Sequence, residues 1–150
     1  MTYEQLLIES DKKGLITKEK PLHANKGRIK GNRIAIKSDM TQTEKKCILA
    51  EELGHYYTAS GNILGTDIIS IKQEAKGRIF AYNKLIGLSG LISAYKSGCK
   101  SLYEVSEYLD VTESFLSEAL TNYRQKYGVC ATVDNYVIYF EPYLTVYEIV

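Results

Sequence analysis

The stretch Cys47–Thr58, "CILAEELGHYYT", decides how this chain is read. Just upstream, "DMTQTEKK" sets Thr41 three residues before Glu44. That is the spacing of a capping box, in which a hydroxyl and a carboxylate satisfy the exposed N–H groups of a helix start. A helix is predicted from there to about Thr58, with a stop near Gly61-Asn62. Residues four apart share one helical face, so Glu51 and His55 project together and both can reach one ion. Glu52 sits one position further round, where it can exchange a proton beside such an ion. Gly54 lets a backbone or a substrate come close. Leu49, Leu53 and Tyr56 point to another face and are expected in the core.

The run Glu51-Glu52-Leu53-Gly54-His55 is one letter away from His-Glu-x-x-His. That pattern offers two imidazoles to zinc and a glutamate to the attacking water. The motif alone leaves three readings open. It is a metal site with an unusual ligand, a site that has lost its metal, or an ordinary amphipathic helix with His55 hydrogen-bonded at a core edge.

The rest of the chain narrows the class. Its 150 residues are enough for one domain with a core, and the hydrophobic and charged fractions, 45% and 25%, suit a globular protein. No apolar run approaches the roughly 20 residues of a membrane span. Acids interrupt the apolar run of "MTYEQLLIESDKKG", which argues against a secretion signal. Cys47, Cys99 and Cys130 are odd in number and widely spaced. They read as reduced thiols of a cytoplasmic protein, serving as small buried hydrophobes. Net charge is only +1, but residues 12–46 hold eleven Lys/Arg against three Asp/Glu. Such a basic front either steers acidic partners or forms a solvated face.

Residues 2–13 suit a short helix, and Pro21 ends any helix before it. "GRIKGNRIAIKSD" predicts a hairpin about Gly31-Asn32, with Ile34 and Ile36 on one face. A second long helix is expected over about Ser70–Ile86. Three shorter ones follow, "GLISAYK", "SLYEVSEYL" and "TESFLSEALTNYRQKYG", the last with Thr112 as N-cap and Gly128 as stop. The tail "ATVDNYVIYFEPYLTVYEIV" is rich in Val, Ile, Tyr and Phe and should form strands. The fold class is therefore α+β, with the two β ends expected to meet around a helical middle.

The second long helix contains "QEAKGRIFA", with Glu74 nineteen residues beyond His55. Together the two segments resemble the ImmA/IrrE family of metallopeptidases, in which an HExxH helix is followed by a helix of the form E-x-x-A-N-x-F-A. Here the matching positions are Glu74, Gly77, Arg78, Phe80 and Ala81. The entry "GNRIAIKSDMTQTEKKCILAEELGHYYT" resembles phage and prophage members. The resemblance implies a zincin-like fold over residues 1–150, with a small sheet beside the active-site helix. Its metal-site core is 27–87, a helical part follows over 88–128, and strands over 129–150. It further implies Glu51, His55 and Glu74 as metal ligands, Glu52 as general base, and zinc as the ion. The implied activity is a cytoplasmic metallo-endopeptidase, in a bacterium or phage-infected cell, that cleaves a helix-turn-helix repressor. The alternative is a pseudopeptidase that grips such a regulator without cutting it.

Glu51 departs from the pattern. Zinc accepts carboxylate oxygen at about 2.0–2.2 Å, so the ligand is permitted. Two carboxylates and one histidine would leave Zn²⁺ near neutral, lowering the pKa of water less and suiting Mn²⁺ or another divalent ion better. Arg78 stands where the family has Asn and can pair with an excess carboxylate. In "SLYEVSEYLDVTESFLSEALTNYR" a helix-turn-helix shape appears, turning at Asp110-Val111. Its second helix opens with Glu113, Ser114, Ser117 and Glu118, acids that repel phosphate. DNA binding there is not expected, and a packing or partner-docking module is. His23, in "KPLHANKG", reads as a surface histidine.

Overall fold

The computed structural model describes residues 1–58 and 67–150, with side chains at 1–58 and 72–150. The chain divides into two compact units, Met1–Ala81 and Tyr82–Val150.

The first unit opens with α1 (Tyr3–Lys12), started by a capping box between Thr2 and Gln5. Three strands follow: β1 (Ile16–Lys20), β2 (Gly27–Lys30) and β3 (Arg33–Lys37). The hairpin of β2 and β3 turns at Gly31, whose φ of 61° lies where glycine carries no Cβ penalty. β1 adds in parallel to β3, giving the order β1-β3-β2. Its sequence, "ITKEK", is too charged to read as a strand, and sequence patterning gave no sign of it. Ile34 and Ile36 are buried on one face, as the alternation predicts.

That face packs on α2 (Gln42–Thr58). The Thr41 hydroxyl accepts from the Glu44 N–H at 3.1 Å, and the Glu44 carboxylate accepts from Thr41 N–H at 3.5 Å, forming the expected capping box. Leu49 and Leu53 are core residues, each worth roughly 1.5–3 kcal/mol on burial. Tyr56 is not: it is 37% exposed and meets Tyr57 edge-on at 5.3 Å. The phenolic ring needs a wet end, and the last turn of α2 supplies one. The expected stop at Gly61-Asn62 lies outside the described residues. Two lysines of α2 are buried. Lys45 reaches Glu19 of β1 at 2.6 Å, and Lys46 donates to the Met1 carbonyl at 2.9 Å.

Helix α3 (Asp67–Leu85) begins three residues earlier than expected and runs from the first unit into the second. The second unit continues with α4 (Gly87–Lys96), α5 (Leu102–Leu109) and α6 (Glu113–Tyr127). Asp110, at φ 52°, makes the turn between α5 and α6, and Thr112 caps α6 through the Phe115 N–H at 3.1 Å. Tyr123 is fully buried, and its hydroxyl accepts from the Gly87 N–H at 3.1 Å. Burial pushes its pKa up to about 12. Strands β4 (Cys130–Val133), β5 (Tyr136–Tyr139) and β6 (Thr145–Glu148) form an antiparallel sheet in that order.

The α+β class holds, but the two β ends do not join one sheet. Among the described residues each forms its own three-stranded ladder. β1 supplies the third strand of the N-terminal sheet. None of the three cysteines is in a disulfide, and only Cys47 is buried; Cys130 is exposed on its edge strand. His23 lies at the surface. Among the described residues no helix is long and apolar enough to cross a membrane.

Candidate metal centre

The site is built where α2 passes between β2 and α3. Two glycines set the distances. A Cβ on Gly54 would run into the Gly77 carbonyl oxygen and lie 2.8 Å from its carbon. A Cβ on Gly77 would strike the His55 ring at Nδ1 and lie 2.8 Å from Cε1. The backbones of α2 and α3 therefore touch, and the His55 ring lies flush against Gly77. On the other side, Gly27 of β2 leaves room for Glu52, since a Cβ there would lie 3.0 Å from Glu52 Oε1.

Glu52 is 8% exposed. Burial, then the charge of Glu51, then that of Glu74, push its carboxyl up to about 7. A group with that value divides between its acid and base forms at neutral pH, which is what proton exchange requires. His55 is half-buried, and burial holds its pKa below the ordinary histidine range. Glu74 opposes that effect and Arg78 adds to it. Burial thereby favours the neutral imidazole, the form with a lone pair for a ligand. Glu74, one turn before Gly77, is exposed and bonds Arg78 across one helical turn at 3.0 Å. Glu51 is partly buried beside Glu52.

All four anticipated residues thus sit in one neighbourhood. Their charges act on one another, although among the described residues no three His, Cys, Asp or Glu side chains converge as a metal cage. The profile of the Peptidase_M78 family, described as the IrrE N-terminal-like domain, matches residues 10–121. This chain belongs to that family. A search of curated proteins returned no match. The match makes the protein a metallopeptidase-like M78 domain of zincin-like α+β type, and the family implies a divalent metal.

For an M78 domain, the donor set here fits such an ion in its chemistry. Two carboxylates and a neutral imidazole are ordinary ligands for zinc or manganese. Burial raises the Glu52 pKa first, and the charges of Glu51 and Glu74 add to it; that added negative field is the kind that a divalent cation relieves. The motif named Glu51, Glu52, His55 and Glu74 as candidates. Gly54 was expected to let a backbone come close, and the backbone that does so is that of Gly77. The Gly27 cradle had no signal in the sequence.

Proposed function

We propose that this M78 domain is a metal-dependent endopeptidase whose substrate is a helix-turn-helix repressor of a phage or other mobile element, acting in the cytoplasm. The observation that carries the reading is Glu52, buried beside Gly27 on the helix whose His55 lies against Gly77, with burial and the charges of Glu51 and Glu74 raising its carboxyl pKa. Glu51, His55 and Glu74 would hold the ion, zinc or manganese. Once bound, it would polarise the scissile carbonyl and acidify water. Glu52 takes the proton from water as its oxygen bonds to the peptide carbon. It returns that proton to the amide nitrogen as the C–N bond breaks. Gly27 leaves space for Ile48 and for the Glu52 carboxyl, since a Cβ there would strike Ile48 and lie 3.0 Å from Glu52 Oε1.

One observation favours a second reading. Glu74 is engaged by Arg78, and a domain that kept this pairing would bind a regulator without cutting it. The magnitude favours the peptidase. An exposed i,i+4 ion pair is worth about 0.3–0.5 kcal/mol, little beside what a divalent ion gains from a carboxylate ligand. Cleavage of the repressor encoded beside this gene, by wild type and Glu52→Gln, separates the two. Cutting by the wild type alone supports the peptidase. Equal binding by both proteins with no cutting by either supports the grip.

A further inference from the structure

One face of the first sheet is a dense cationic array. Strand alternation places Lys18 and Lys20 of β1, Arg28 and Lys30 of β2, and Arg33 of β3 on the same side. Lys18 and Arg28 both flank Ala35, and Lys30 pairs directly with Arg33. All five are exposed and line a cleft of about 410 Å³. Lys30 and Arg33 face one another across about 4.8 Å, Lys18 and Arg28 lie about twice that apart, and neighbours along a strand are about 6.8 Å apart. Glu19, the acid of β1, points to the opposite face, where it meets Tyr3 and Lys45. Among the described residues no ion pair ties down any of the five cations. Holding them together without an acid costs stability through self-repulsion, which a polyanion removes.

We propose that this face binds the sugar–phosphate backbone of a nucleic acid without reading its sequence. The side chains choose this partner over an acidic protein. Protein–protein interfaces are depleted in lysine and enriched in aromatics. This cleft carries three lysines and no aromatic residue, in a chain with thirteen tyrosines. Interfaces with nucleic acid are instead polar and strongly positive. Base reading needs amides, or arginines inserted in a groove, beside the phosphate contacts. The cleft offers no Asn or Gln, and its two arginines sit on a three-stranded sheet, wider than the helix or two-stranded ribbon that a groove admits, so backbone contact is what remains. The α5–α6 pair, with its acids, plays no part. The inference does not depend on the peptidase reading.

The test is fluorescence anisotropy of the full chain with a 20-base-pair duplex of arbitrary sequence, a single-stranded DNA and an RNA of equal length. Three to five engaged phosphates predict that duplex affinity falls about 40- to 500-fold between 50 and 200 mM NaCl. Arg28→Glu/Lys30→Glu should abolish binding while circular dichroism stays unchanged. Lys18→Ala should flatten the salt slope by about 0.9. Lys100→Glu/Lys126→Glu, in the second unit, should bind as the wild type does. The rank order of the three probes identifies the source of the phosphates. Binding that survives charge reversal on the sheet, or fails for all three nucleic acids, overturns the proposal. So does displacement by polyglutamate or phosphatidylserine vesicles at equal charge.

Discussion

Gly54 and Gly77 bring the backbones of α2 and α3 into direct contact, so that neither position has room for a methyl group. The consequences differ. At Gly54 the obstacle is the Gly77 backbone, which yields only if the helices separate. At Gly77 it is chiefly the His55 ring, which can rotate. Gly54→Ala is expected to cost about 1–3 kcal/mol by overpacking, and Gly77→Ala less. Gly77→Ala should instead disturb metal affinity through His55. Urea denaturation and metal titration of both variants check the split, and equal destabilisation would count against it.

Glu52 should trade stability for chemistry. Its folded pKa, about 7, lies above the ordinary carboxylate value. As pH rises from about 4.5 to 7 the unfolded chain ionises first, so the folded state loses relative stability, and the loss is complete above 7. Glu52→Gln removes that penalty. In metal-free protein the variant should match wild type near pH 4 and exceed it at pH 8, by on the order of 1–3 kcal/mol. It should cleave nothing. Denaturation at the two pH values reads the gap.

Lys45 holds Glu19 below the usual carboxylate range by its hydrogen bond. For a lowered folded pKa, the stabilisation is present above the unfolded value and is lost as pH falls through the folded one. Glu19→Gln should therefore flatten the acid limb of the stability curve. The pair is partly exposed, so the effect stays under about 1 kcal/mol.

Much of the secondary structure was legible because its signals are local. The Thr41–Glu44 box, the Gly31 turn and the Thr112 cap each depend on residues a few positions apart, and each is present. β1 was not legible, because "ITKEK" gains its place from parallel pairing with β3 and from the Lys45–Glu19 contact, neither visible in its own pattern. Burial of Lys45 and Lys46 escaped for the same reason, since their partners lie 26 and 45 residues away. Tyr56 sat correctly on the helical wheel, yet the helix end left it wet. Pairing of Arg78 with a carboxylate was readable from the excess of acids, whereas its choice of Glu74 over the others was not.

Arg78 pairs with Glu74 and depresses the basicity of His55. Arg78→Asn frees one ligand and removes a like charge from the neighbourhood of the ion. Affinity for Zn²⁺ or Mn²⁺ should rise about two- to fivefold. A fall would mean that Arg78 supports the centre.

The most direct measurement is calorimetric titration of the metal-free full chain with Zn²⁺ and Mn²⁺, alongside Glu51→Ala, His55→Ala and Glu74→Ala. The account expects one ion per chain and at least a tenfold loss of affinity in each variant. No saturable binding by the wild type, or the same affinity in all four proteins, would contradict it.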